Sequence, residues 1–239
     1  MNTTPTTELR PADERGTSNL GWLDSKHSFS FGGYHDPHRM GYHGLRVLND
    51  DRVAPGMGFD THPHRDMEIL TWVLDGELAH KDSMGHASSL GAGGVQLMSA
   101  GTGVTHSEFN GRSDAPVHFL QVWIMPRERG TKPRYQEAIP DPATHDGQFA
   151  PLATPDGRDG SLTIGADAEV YVGDFSQGQS ATLSVPYGRV AYIHVATGNV
   201  TVNGDTANAG DAITLDGDTK IEIAGVNTQS QALAFVLPA

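Results

Sequence analysis

Short apolar runs of β type, each closed by a turn signal, recur from Leu45 to Val236, and no segment of the first half shows a convincing 3.6-residue apolar period. This pattern constrains the fold more than any other feature, because many short strands at close spacing build a sandwich or barrel. The first half offers Leu45–Leu48, Glu68–Leu74, Glu77–His80, Val95–Ser99 and Val117–Met125 as strands. The second half offers Ser161–Ile164, Glu169–Phe175, Ala181–Val185, Val190–Val195, Asn199–Val202, Ala212–Leu215, Lys220–Ile223 and Leu233–Val236. Asp75-Gly76 and Asn203-Gly204 signal hairpin turns of the primed type, where glycine accepts the positive φ the turn needs. The 29 glycines and 14 prolines are spread along the chain, as many turns require, and do not form one low-complexity tract.

A chain of 239 residues can hold one domain or two. Val73–Leu78 overlays Val195–Val200 on Gly76 and Gly198, and Gly93-Gly94 overlays Gly210-Asp211 at nearly the same offset. This faint repeat is best explained by two tandem jelly-roll β-barrels, with one large sandwich as the alternative. The expected division is a loose tail over 1–11, a first barrel over 12–135, a proline-rich connection over 136–150 and a second barrel over 151–239. The wider stretch from Pro126 to Pro155 reads as irregular, with room for a short helical piece.

Composition narrows the function. The net charge is −13, from 16 basic and 29 acidic residues, so phosphate backbones should be repelled and direct nucleic-acid binding is not expected. Without cysteine there are no disulfides and no thiolate metal sites; a metal must be held by histidine and carboxylate. No run approaches the 18 apolar residues that span a bilayer, and the Thr-rich N-terminus has no apolar signal region, so a cytoplasmic protein is expected.

His62-Pro63-His64 and His106-Ser107-Glu108 are the candidates for such a site. On a strand, residues two apart share a face, so each pair can present two ligands to one point. Twelve histidines in 239 residues produce about 0.6 such His-x-His pairs by chance, so the pair alone decides little and the surroundings carry the weight. Glu68 has the same parity as His62 and His64, and strand geometry alone leaves it open as a ligand beside Glu108.

Those surroundings resemble the cupin superfamily. Gly56, His62, His64, Glu68 and Gly76 follow one cupin motif with one extra residue before the last glycine. Gly103, His106 and Asn110 follow the other, with Gly101 where proline is usual. The resemblance narrows to the bacterial pirin family. It is carried by Ala12–Gly16, Gly21–Ser25, His27–Phe31, Gly44–Asp51, His62–Glu68, Asp82–Gly85, Met98–Gly103, Gln121–Pro126 and Pro133–Tyr135, and more thinly by Asp156–Leu162.

This resemblance implies an all-β bicupin with one metal, in the N-terminal cupin only. It implies His62, His64, His106 and Glu108 as ligands, and Glu68 as a group that orients them or pairs with a nearby cation. In the second half, Pro186 and Val190 stand where His64 and Glu68 do in the first. It further implies a monomer that cleaves quercetin or a similar phenolic with dioxygen, with Glu108 as the catalytic base for the substrate hydroxyl. The metal would be Fe(2+), although this ligand set accepts Cu, Mn, Co, Ni or Zn. The alternative is a metal- or redox-sensing pirin that regulates a protein partner without catalysis. His27, His80 and His118 are possible additional lining groups, and His35, His38, His43 and His86 read as loop residues.

Overall fold

The computed structural model describes residues 7–217, 219–227 and 229–239. It is almost entirely β: among the described residues there are only three short 3-10 turns and no α-helix. Among the described residues no helix is long and apolar enough to cross a membrane. The strands are β1 (Thr7–Arg10), β2 (Gly16–Asn19), β3 (Leu23–His27), β4 (Leu45–Val53), β5 (Gly58–His64), β6 (Glu68–Asp75), β7 (Glu77–Asp82), β8 (Ala87–Gly91), β9 (Val95–Ser99), β10 (Val104–Asn110), β11 (Val117–Ile124) and β12 (Arg134–Ala138). They continue with β13 (Ala150–Thr154), β14 (Leu162–Thr163), β15 (Glu169–Phe175), β16 (Ser180–Val185), β17 (Arg189–Thr197), β18 (Asn199–Val202), β19 (Asp205–Asn208), β20 (Ala212–Asp216), β21 (Thr219–Gly225) and β22 (Ser230–Pro238).

The chain forms two compact units, each a cupin barrel of a seven-stranded and a four-stranded sheet. The N-terminal unit, Arg15–Pro140 with Ile164–Ala166, has sheets β12-β9-β6-β11-β4-β3-β2 and β5-β10-β7-β8. The C-terminal unit has sheets β1-β20-β17-β22-β15-β13-β14 and β16-β21-β18-β19. Its core is an apolar cluster that includes Phe175, Ile193, Val195, Val200, Leu215 and Ile221, all buried. Such a filled interior is what alternating inward residues of a small barrel produce.

Two boundaries differ from the sequence reading. The N-terminal stretch expected to be loose contains β1, which pairs antiparallel with Ala212–Leu215 of β20. Its side chains are largely exposed, so no apolar signal marks it; backbone pairing along a sheet edge holds it instead. Residues 1–6 lie outside the described residues. The connection expected over 136–150 overlaps β12, which pairs with β9, and the division between the units falls at Pro140 and Asp141.

In the N-terminal unit the register stacks the interior into layers. An apolar floor holds Leu23, Val53, Val73, Leu78, Leu90, Val117 and Phe119. Above it, strand pairing aligns Gln96, Thr71, Gln121, Asn49 and His27 in one row across five strands. All five are polar and buried inside a barrel, where burial without hydrogen bonds is costly.

Candidate metal centre

The four-stranded sheet carries the histidines to this belt. In the β5–β10 pairing His62 stands opposite His106, and in the β10–β7 pairing His106 stands opposite Asp82 and Glu108 opposite His80. The register of β5 slips between His106 and Glu108, whose partner is Phe59. This bulge spends one extra residue of β5, and bulges re-aim side chains next to sites in this way. The carbonyl of Asp60, inside the bulge, accepts the Nδ1–H of His62 at 2.7 Å. That bond fixes the tautomer and leaves the His62 Nε2 lone pair facing the interior.

His62, His64 and His106 converge. Each offers a ring nitrogen within 4.8 Å of the others, and the Nε2 atoms of His62 and His106 are 3.1 Å apart. Burial, reinforced by His62, lowers the pKa of His64 to about 4. Burial, reinforced by His62, His64 and His80, lowers that of His106 to about 2. The rings of His64 and His106 are therefore neutral at pH 7, the state in which imidazole binds a metal. Two nitrogens each about 2.1 Å from one ion at a right angle stand about 3.0 Å apart. The observed separation, the neutral rings and the oriented Nδ1 of His62 all fit a divalent cation.

Glu108 lies beside this trio, in a second group of possible ligands with His80 and His106. Its carboxyl is fully enclosed. Gln96 Nε2 donates to Oε1 at 2.7 Å and Gln121 Nε2 donates to Oε2 at 2.8 Å, with Thr71 Oγ1 more distant at 3.4 Å. Burial raises its pKa to about 7 against these bonds. Gln96 in turn accepts from the Tyr135 hydroxyl at 3.1 Å, and Tyr135 stacks on His80 at 4.5 Å between ring centroids. His80 Nε2 is 3.3 Å from Asp82, which also accepts from the backbone N–H groups of Met84 and His86.

The other candidates separate. Glu68 belongs to neither group. The chain passes through Asp66 with φ +49°, which ends β5, so the parity of His62 and His64 does not carry into β6. There Thr71 faces Glu108 while Glu68 accepts from the Ser99 hydroxyl at 2.8 Å and from Gly165 N–H at 3.1 Å. Leu70 and Trp72 share the parity of Glu68 and are buried away from the histidines. His118 points out of the barrel to Asp50 at 2.7 Å, and His27 closes the polar belt against Asn49 at 2.8 Å. Asn110 staples backbone, donating to the carbonyls of Val53 and Ala115.

At Gly101, where cupins usually have proline, φ is +46°, a conformation that the proline ring forbids. Sequence reasoning did not find Tyr135, Gln96, Gln121 or Thr71 as partners of the site. The polar residues in otherwise apolar strands were the available signal. Above the belt Trp123 packs edge-on against His64 at 4.9 Å, and Phe31 edge-on against Trp123 at 5.4 Å. A cavity of about 360 Å³ opens there, walled by Trp123, Phe31, Val47, Met67, Tyr34 and Arg46 among others.

Two cupin barrels, the first with three converging imidazoles and an adjacent buried carboxyl, define a bicupin of the metal-binding class. The pirin family model matches residues 8–124, and a model described as quercetinase C-terminal cupin domain matches residues 151–237. A quercetin 2,3-dioxygenase of Escherichia coli K12 is 45% identical over 230 residues, covering 96% of this chain and 98% of that protein. The chain belongs to the pirin family.

Among solved structures, the bacterial pirin YhhW of E. coli in complex with nickel(II) superposes with a TM-score of 0.92 at 43% identity, over 98% of this chain and 99% of that one. A quercetin 2,3-dioxygenase from Acinetobacter baumannii shares the fold at 23% identity, with a TM-score of 0.76 over 97% of this chain and 86% of that one.

Proposed function

We propose that this protein is a metal-dependent dioxygenase that opens quercetin or a similar flavonol, with the ion, Fe(2+), held by His62, His64, His106 and Glu108. The observation that carries the reading is the convergence of three imidazoles on one point inside a barrel, in a chain 45% identical over 96% of its length to a quercetin 2,3-dioxygenase. Three nitrogens and one carboxylate leave positions open on an ion that accepts six ligands. A bound divalent ion would supply the charge that favours a deprotonated substrate hydroxyl and a partner for dioxygen.

The chain's own residues do the rest. Glu108, the carboxylate beside the three imidazoles, takes the hydroxyl proton. Gln96 and Gln121 hold its carboxylate from both sides, so little reorganisation accompanies the transfer. Phe31, Trp123 and Met67 offer an apolar wall beside His64 for an aromatic ring, and shield the reacting atoms from water.

The test is anaerobic loading of chelator-treated protein with Fe(2+), followed by quercetin and then air. Loss of the flavonol absorbance at a rate proportional to bound iron is expected. Glu108→Gln should keep the fold and lower that rate by about 10²-fold or more. An iron-replete protein that leaves quercetin intact would end the reading.

A further inference from the structure

At the open edge of the same barrel, between β3 and β5, lies a second cavity of about 280 Å³. None of His62, His64 and His106 lines it. Its apolar walls are Leu20, Leu23, Phe31 and Phe59, and its polar wall is Ser18, Ser25, His27, Asn49 and Asp51.

Most of that polar wall is already satisfied. His27 donates from Nδ1 to Asn49 Oδ1 at 2.8 Å, since that oxygen can only accept, and its Nε2 then accepts from the Ser18 hydroxyl at 2.8 Å. Asp51 differs. Asp50, its neighbour, points out of the barrel to Arg15, Arg52 and His118, so alternation turns Asp51 inward. Asp51 is 3% exposed, and its Oδ1 has no hydrogen-bond partner among the described residues. A buried acceptor in that condition is expensive, and a donor brought by a ligand removes the cost.

We propose that this cavity is a binding site for a single-ring phenol, or a neutral molecule of the same chemistry, whose hydroxyl donates to Asp51 while its ring lies between Phe31 and Phe59. The site does not depend on the dioxygenase reading. Its volume is slightly below the range of about 300–1,000 Å³ that holds drug-sized ligands, which selects one ring over a fused polyphenol. One unpartnered acceptor in an otherwise apolar or satisfied wall selects one donor. Burial raises the Asp51 pKa to about 7, so this interior does not favour an isolated charge and a neutral donor suits it better than a cation.

The test is ¹⁹F NMR of 4-fluorophenol with the full-length protein, both chelator-treated and zinc-loaded, so that phenolate coordination at the metal centre is separated from binding here. Saturable binding of similar affinity is expected in both forms. 4-Fluoroanisole, which lacks the donor, should bind about tenfold or more weakly. Asp51→Val should weaken fluorophenol to the same degree.

Leu20 is 61% exposed at the rim, so Leu20→Trp can obstruct the cavity without touching the core, and should abolish binding at unchanged Tm. Four outcomes would overturn the proposal. They are fluoroanisole binding as tightly as fluorophenol, Leu20→Trp binding unchanged, binding only in the zinc form, or 4-fluorobenzylammonium binding tenfold tighter than the phenol.

Discussion

Asp51 and Glu108 are two carboxyls inside one small barrel, and burial holds both near pH 7. A protein keeps such groups only where something else repays their desolvation. For Asp51 the consequence is measurable through stability. Its carboxyl titrates near 3.8 when unfolded and near 7 when folded, so the native state retains a proton that the unfolded chain has released. Across that window unfolding becomes easier as pH rises, and the penalty is complete above pH 7. Asp51→Asn carries no such group. In chelator-treated protein its advantage over the wild type should therefore grow between pH 4 and pH 7 and then stay level, reaching at most about 4 kcal/mol at about 1.4 kcal/mol per pH unit. Urea denaturation at pH 4, 5.5, 7 and 8 measures the difference directly, and a difference that does not change with pH would contradict the buried, protonated state.

Strands, more than individual residues, decide which groups meet. Strand β6 of the seven-stranded sheet runs through Gly76, with φ +83°, into β7 of the four-stranded sheet, and this corner brings His80 and Asp82 opposite Glu108 and His106. A Cβ there would stand 2.8 Å from the Pro116 carbonyl oxygen and 2.9 Å from Val117 Cα, both backbone atoms. Gly76→Ala should therefore cost about 1–3 kcal/mol of stability, read as a lower urea midpoint with an unchanged slope.

The hairpin expected at Asp75-Gly76 is instead a corner, because β6 and β7 pair in different sheets. The two-residue spacing that puts His62 with His64 and His106 with Glu108 was legible in the sequence. The fate of Glu68 was not, because one left-handed residue, Asp66, breaks a parity that spacing assumes to be continuous. The belt of Gln96, Thr71, Gln121, Asn49 and His27 was hidden for a related reason. Each residue comes from a different strand, and only inter-strand register aligns them. β1 was missed because an exposed edge strand needs no apolar residues.

At the scale of the whole chain, 29 acidic against 16 basic residues give a negative field in which a divalent cation is electrostatically welcome. The proposed ligands lie on β5 and β10, so an ion held there cross-links segments 44 residues apart at His62 and His106. An ion that binds the folded state alone stabilises it by about 4 kcal/mol at a thousand times its Kd. Addition of Zn(2+) or Ni(2+) to chelator-treated protein should raise Tm, and His106→Ala should remove that shift. Hydrogen exchange can show where the stabilisation resides. Amides of β5, β7 and β10 should become slower on metal binding. Those of β16, β18 and β21, in the unit whose core is an apolar cluster, should not change. Slowing confined to β16, β18 and β21, or a shift that survives His106→Ala, would place the ion elsewhere in the molecule and leave the histidine trio without its proposed role.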